Sequence, residues 1–534
     1  MNSANPASQT QFGTSESVDE LLLARCREHP DKVQFRSIDQ GRDISYRQMA
    51  GATNQLCGFL ADLGLKANDR VVLIGENSLE FLIIACGTMR YGATICPLNV
   101  EYQDNEVSKL IKRIRPAVVF LDRRLADRRI DFSGYERVLY DAWPAAGPDS
   151  SREDGSPELF ARLAAYSADR RIAPVSSNDD LGTIMFTSGT ESDPKGGIHT
   201  FRGYLSSPQN AVAAFELSSK DVILEYRPYS WASPFGFGFV TTLFCGATVV
   251  FAGKFSQSRF FSWVADYKVT VAAGIPAVFN MLLAGRALVN KSDIRQLRFI
   301  TSSTAPLPAS QQKEFVETYQ IPIVQLHGST ETGWIAFTPP ARPKIGSAGK
   351  PAIYGELRIV DDEGAALPAG EIGEIEVRGP QRAFGYLLPD GEIQPFGSRR
   401  WRVGDLGYLD DEGYLFVTGR KKDVVIRGGV NIAPTEIDNV LLAHPDIADA
   451  AAVGVPDPIY GEELVCFVVP NTGRSIKEQQ VLEYCAHRLA RFKQPRKVFF
   501  VSSIPKTERG KILRRELVAV WQQLTSGPTD AKGQ

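Results

Sequence analysis

Two textures alternate along most of this sequence, and the alternation constrains the fold more than any single motif does. Residues 48–65 carry the spacing of an amphipathic helix, and residues 70–75 (RVVLIG) read as a buried strand. Residues 79–91 are helical again, and 117–121, entered through Pro116, form a further strand. Residues 221–224, 247–251, 269–273 and 298–301 continue the strand pattern with helices between them. Helices alternating with apolar strands imply an α/β fold with mostly parallel sheets and helices on their faces. Between residues 346 and 416 the pattern changes. Residues 356–360 and 374–377 alternate apolar and polar side chains, with turn signals at 362–364 and 411–413. That predicts antiparallel, barrel-like β structure at the end of a large domain. A small α+β unit follows, with a helix at 436–443, a strand at 463–469 and a helix at 475–489 opened by Ser475 and Glu478 as a capping box. The segment 143–180, rich in Pro, Gly, Ser and charge, reads as a surface excursion.

The expected organisation is a disordered start (1–17), a large domain (18–419), a hinge (420–422), a small mobile domain (423–525) and a tail (526–534). A chain of 534 residues is too long for one core, so at least two domains are required. Its formal net charge of −2 points to neither nucleic acid nor an acidic membrane surface. Seven cysteines, an odd number with no Cys-x-x-Cys, argue for reduced thiols in a cytoplasmic protein and against a disulfide frame or zinc site. No apolar signal core opens the sequence, and the longest apolar run, 239–251, is too short to span a bilayer.

The chemistry concentrates in five segments. The first is TSGTESDPKGG, residues 187–197, directly after an apolar strand at 181–186. Small residues let backbone N–H groups approach an anion, hydroxyls add donors, and Lys195 adds a mobile charge. This is the chemistry of a triphosphate cradle without the Walker pattern. The second, HGSTETG (327–333), sets Glu331 beside two hydroxyls after a strand at 323–326, which suits a magnesium ligand. The third, WRVGDLG (401–407), offers Asp405 as an acceptor for a ribose diol. The fourth is GRKKDVVIRGGVNIAPTEID (419–438), and the fifth is PKTERGKILR (505–514), which places Lys511 on a glycine turn before a C-terminal helix. Each alone is an ordinary turn or a solvated lysine; their joint order and spacing carry the signal.

Together the five segments resemble the adenylate-forming superfamily of acyl-CoA synthetases, peptide-synthetase adenylation domains and luciferases, over residues 17–517. The resemblance implies that Thr187, Ser188, Gly189, Thr190 and Lys195 hold the ATP phosphates. Glu331, assisted by Thr330, would bind Mg²⁺, and Lys511 would be the catalytic lysine. Ser303, Thr304, Ala305 and the strip His327, Gly328 and Ser329 would frame the adenine. Asp405 and Arg420 would hold the ribose, and Lys422 falls at the hinge. Gly428, Gly429 and Tyr460 would line the approach of coenzyme A. The acid pocket would be lined by Tyr229, Ser230, Trp231, Gly328, Gly333 and Trp334. Two positions depart from the family pattern: Glu191-Ser192 replaces the usual Thr-Gly, and His327 stands where the adenine-stacking aromatic is often Tyr.

The implied activity is ATP-dependent ligation of a carboxylic acid to coenzyme A through an acyl-adenylate. Gly328 is small where acetate-specific relatives carry tryptophan, so the expected acid is larger than acetate: aromatic, alicyclic or medium-chain. The rivals are a stand-alone enzyme loading a carrier protein and a non-catalytic adenylate-binding protein. Partners are expected to be small molecules, with a homodimer left open.

Overall fold

The computed structural model describes residues 16–143, 158–186, 194–285, 293–397, 400–507 and 510–525. Two large sheets form the body of the large domain. One has nine strands, in the order Lys350–Pro351, Gly333–Phe337, Ile323–Ser329, Phe299–Ser302, Val271–Ala272, Val222–Glu225, Thr248–Phe251, Val33–Ser37 and Arg42–Ser45. The other has eight: Ile393–Pro395, Gly385–Leu387, Gly196–Thr200, Leu181–Phe186, Thr94–Leu98, Arg70–Ile74, Val118–Asp122 and Glu136–Tyr140. Interior pairings are parallel and the antiparallel ones gather toward the edges, as the alternating sequence requires.

Helix Leu79–Tyr91 shows how the sheets are joined. All its residues are buried, so it lacks the one-sided stripe of a surface helix. It touches strand Val33–Ser37 of one sheet and Arg70–Ile74 and Thr94–Leu98 of the other. Ser78 caps its start and Gly92, at φ 97°, ends it.

A four-stranded antiparallel sheet follows: Glu356–Val360, Gly373–Arg378, Trp401–Leu409 and Leu415–Arg420. The 3₁₀ turn Lys421–Asp423 leads into a five-stranded sheet built on Ile447–Asp457 and Gly461–Pro470. Alternate residues of Ile447–Asp457 enter two separate apolar clusters, one shared with helices Pro434–Leu442 and Glu478–Ala486, the other with Arg514–Thr525. With helices on both sides, this strand buries both of its faces.

Three expectations need correction. The helix expected at 475–489 begins at Glu478, because Gln480 reaches back to the Lys477 N–H and Glu478 accepts from Val498; Ser475 lies outside it. The excursion at 143–180 is not wholly at the surface: helix Leu159–Leu163 sends Leu159, Phe160 and Leu163 into the main core. The strand expected at 323–326 continues through Ser329, so His327, Gly328 and Ser329 are strand residues. The expected disordered start, apart from Glu16 and Ser17, and the expected tail lie outside the described residues.

Candidate active site

Residues 187–193, and with them Thr187, Ser188, Gly189, Thr190 and the Glu191-Ser192 pair, lie outside the described residues. The far flank of that loop is well defined. The Arg113 guanidinium donates to the carbonyls of Pro194, Leu387 and Leu388, fixing where the chain leaves the loop. Lys195 then places its ammonium 5.6 Å from the centroid of the Tyr386 ring.

Tyr386 connects the first two motifs. Its hydroxyl donates to Glu331 Oε1 at 2.7 Å, and burial, reinforced by that carboxylate, pushes the phenol above its ordinary range. Glu331 sits in the turn between strands Ile323–Ser329 and Gly333–Phe337. Ser329 Oγ accepts from the amides of Glu331 and Thr332, each at 3.2 Å, and Ala383 N donates to the Glu331 carbonyl at 2.9 Å. Strand Gly196–Thr200 packs beneath this turn, where a Cβ on Gly197 would lie 2.5 Å from Thr330 Cγ2. On the same strand, His199 Nε2 lies 2.8 Å from the Thr330 carbonyl oxygen. Burial pushes this imidazole down to about 4, so it is neutral at pH 7.

Asp405 and Arg420 face each other across two antiparallel strands, with Arg420 Nε 3.5 Å from Asp405 Oδ1. His327 Nε2 is 3.6 Å from Asp405 Oδ2, an ion-pair distance too long for a good hydrogen bond. Burial alone would raise the Asp405 carboxyl. His327, Arg420 and the more distant Lys511 outweigh burial and hold it below the usual carboxylate range. Lys511, from the small domain, thus acts on the same carboxylate as two residues of the large one. Its loop is closed by Lys511 N donating to Thr507 Oγ1 and Thr507 N donating to the Lys511 carbonyl.

The segment around Ser303 contains strain and a buried charge pair. Thr304, a β-branched residue, has φ 80°, a conformation costing about 1–3 kcal/mol. The Ala305 amide donates to the Ser303 carbonyl at 3.0 Å. Ser303 Oγ accepts from Arg227 Nη1 at 3.0 Å, and Arg227 is paired through Nε and Nη2 with both oxygens of Glu225. Arg227 and Glu225 are both buried. Glu225 ends strand Val222–Glu225 and Ser303 follows strand Phe299–Ser302, so the cluster lies at the carboxyl edge of the nine-stranded sheet, where open α/β sheets bind ligands.

The acid-pocket candidates divide. The aromatic stretch after Ser230 is helical, with a π-helical turn over Phe235–Val240, a form that recurs at functional sites. Trp231 stands half-buried at its start, Ser230 is buried beside it, and Trp334 packs edge-on to Phe237 with centroids 6.5 Å apart. Gly333 has φ 62° and precedes Trp334 in the hairpin. Tyr229 is a core residue: its ring stacks on Phe81 at 6.3 Å and its hydroxyl donates to the Gly238 carbonyl. Gly328 also needs a new explanation. A Cβ there would collide with the Gly333 carbonyl oxygen and lie 2.8 Å from Trp334 Cα, across a hairpin whose register shifts at His327 and Gly328. A side chain there would require the facing strand to shift, so the hairpin gives this glycine a role besides any room it leaves for the acid.

Gly428, Gly429 and Tyr460 form a separate group on the small domain. Gly428 and Gly429 have φ 58° and 84°, Gly428 N donates to the Tyr460 carbonyl at 2.8 Å, and Arg427 lies 5.6 Å from the exposed Tyr460 ring. Lys422 is exposed within the turn Lys421–Asp423. Sequence reasoning missed His199, Tyr386 and the Arg227–Glu225 pair. No local pattern marks the first two; Glu-x-Arg at the end of a buried strand was the one available signal.

The AMP-binding enzyme family model matches residues 22–387, and the AMP-binding enzyme C-terminal domain matches residues 436–511. The chain is 35% identical to an indoleacetate–CoA ligase of Aromatoleum aromaticum, covering 92% of this chain and 96% of the relative. It is 31% identical to an oxalate–CoA ligase of Arabidopsis thaliana, covering 94% and 98%. Among solved structures, ATP-bound MatB from Rhodopseudomonas palustris superposes with a TM-score of 0.83 at 27% identity, covering 95% of this chain and all of that one. With two domain models matched in order and relatives aligned end to end, this chain belongs to the AMP-binding enzyme family and, within it, to the AMP-forming acid–CoA ligases.

Proposed function

We propose that this ligase activates an acid with an apolar body, aromatic, alicyclic or medium-chain, and transfers it to free coenzyme A. One observation carries the choice of acid. Arg227, the arginine at the carboxyl edge beside the candidate pocket, is already paired with Glu225, so it is committed and does not await a second carboxylate. The remaining candidates, Ser230, Trp231, Gly333 and Trp334, carry no charge and two are indoles. The indoleacetate specificity of one relative points the same way, and the oxalate specificity of another points away.

In the first half-reaction an oxygen of the acid attacks the α-phosphorus of ATP, the bond to pyrophosphate breaks, and a mixed anhydride remains. Negative charge grows on phosphoryl oxygens, so fixed cations and donors lower the barrier. Lys511 is the mobile cation for that step, Lys195 holds the outer phosphates, Asp405 and Arg420 hold the ribose, and the strained Thr304 turn with His327 frames the base. The donor set also suits a magnesium ion. One carboxylate, Glu331, suffices for a small hard cation that takes its other ligands from phosphates and water. Among the described residues no cluster of three His, Cys, Asp or Glu is arranged to hold a metal by itself. When bound, the ion neutralises charge on the triphosphate. In the second half-reaction the CoA sulfur attacks the acyl carbonyl, loses its proton, and AMP departs. Lys511 must by then have withdrawn, and Gly428 and Gly429 leave room for a pantetheine arm near the backbone.

The hinge at Lys422 has its own support. Lys421 is bolted to the large domain through Asp362 at 2.8 Å and Glu374 at 3.0 Å, whereas Asp423 is 4.0 Å from Arg514 of the small domain. Lys422 is the residue between those two attachments. The cytoplasmic placement rests on the seven free cysteines, and no helix of the described residues is long and apolar enough to cross a membrane.

The test is AMP release with and without CoA across indoleacetate, other aryl acids, medium-chain acids, oxalate and acetate. CoA-dependent AMP release with an apolar acid, and little with oxalate or acetate, is the expected result. Preference for oxalate overturns the acid class, and pyrophosphate exchange that CoA never converts to thioester favours the carrier-loading alternative.

A further inference from the structure

The strand that leaves the phosphate loop carries a residue with no place in the chemistry above. His199 lies two residues after Gly197 on Gly196–Thr200, so both side-chain positions face the same way. Gly197 lets that face approach the Thr330 side chain, and His199 meets the Thr330 carbonyl at 2.8 Å. A carbonyl oxygen only accepts, so Nε2 carries the hydrogen, and the neutral ring leaves Nδ1 as an acceptor. Nδ1 is buried and has no hydrogen-bond partner among the described residues. The ring is held edge-on against Tyr204, with centroids 5.7 Å apart, and Tyr204 in turn donates to the Ala232 carbonyl at 2.9 Å.

An apolar side chain would fill this space without an unsatisfied nitrogen. What the imidazole adds is one directed donor to the peptide that precedes Glu331. That peptide joins Thr330 to Glu331, and the next carbonyl along accepts from Ala383 N. The backbone is therefore gripped on both sides of the residue whose carboxylate Tyr386 orients.

We propose that His199 is a positioning residue for the magnesium–nucleotide site: its Nε2–H holds the Thr330 carbonyl, and so fixes the Glu331 carboxylate relative to the strand that follows the phosphate loop. This rests on the reading of Glu331 as the magnesium ligand.

The full chain with His199→Leu, His199→Gln or Glu331→Gln is titrated with magnesium at fixed ATP by calorimetry, with ATP binding in EDTA measured alongside. Glutamine places an amide N–H near the Nε2 position; leucine does not. Groups that orient a metal ligand typically change metal affinity by about 10–100-fold. The expected result is about a tenfold rise in the magnesium needed by His199→Leu, substantial recovery in His199→Gln, and unchanged binding in EDTA. Thioester formation from supplied acyl-adenylate should stay near wild type in both His199 variants. A wild-type magnesium response in His199→Leu, equal shifts in leucine and glutamine variants, or equal loss with and without magnesium each overturns the proposal. Magnesium response unchanged in Glu331→Gln removes the ligand assignment and the proposal with it. Wild-type protein that binds magnesium–ATP but forms no thioester defeats the ligase reading, while the binding titrations still decide the role of His199.

Discussion

The two sides of the candidate site come from different parts of the chain and are built on different elements. On the large domain, Glu331 is held at its carboxylate by Tyr386, at its carbonyl by Ala383 and at its amide by Ser329. Asp405 has Arg420 directly opposite and His327 beside it. On the small domain, the Lys511 main chain is tied back to the Thr507 hydroxyl and amide, and the Gly428 amide donates to the Tyr460 carbonyl. The contrast matches the two demands of a two-step reaction. Groups that stay on the nucleotide gain from being fixed before the transition state forms. Groups needed in only one step must be carried on something that can leave.

The largest expected effect comes from removing the group delivered by the small domain. Lys511→Ala should slow adenylate formation by about 10²–10³-fold, the scale of losing one oriented electrostatic partner. Thioester formation from supplied acyl-adenylate should stay close to wild type. Equal loss in both half-reactions, measured by pyrophosphate exchange and by thioester yield, breaks the division of labour between the domains.

Next is the linker. Proline fixes φ near about −65° and removes an N–H. Lys422→Pro should leave adenylate formation in place and slow CoA discharge by about tenfold or more, a barrier rise of about 1.4 kcal/mol. Bound acyl-AMP then accumulates in single-turnover assays with labelled ATP. Equal slowing of both steps would move the pivot elsewhere.

A smaller change is expected inside the fixed half. Trp231→Ala should shift preference toward bulkier acids by about 1–3 kcal/mol in relative kcat/KM, while the KM for ATP holds steady. An unchanged acid profile removes Trp231 from the pocket.

The smallest effect concerns the interiors. Burial pushes the thiols of Cys57, Cys86 and Cys96 in the large domain up to about 12, and Cys485 in the small one up to about 11. A raised thiol pKa means less thiolate, so at pH 8 these groups are protonated and slow to react, and reactivity grows only as pH climbs toward those values. Cys26, half-buried, should label first and the other six only on unfolding. Early labelling of Cys466 or Cys485 would show that the small domain opens internally.

Much of this arrangement was legible in the sequence because it is local. A buried strand is a run of neighbours, and the expected helix at 79–91 has the same bounds in the fold. The five motifs are each contiguous, so their residue types could be weighed against known chemistry. What the sequence hid depends on pairs far apart in the chain. Tyr386 and Glu331 are 55 residues apart, and His199 and Thr330 are 131 apart. Gly328 also admits the facing strand, and only the hairpin register reveals that. Tyr229 had the composition of a pocket residue and the packing of a core one.

The pairing of Asp405 with Arg420 has a further consequence. Arg420 is the last residue of its strand, and the turn Lys421–Asp423, beside the proposed hinge, begins at the next one. If these two residues hold the ribose, the nucleotide grips the post from which the small domain is hung. Departure of AMP then frees that post, and the next ATP to bind grips it again.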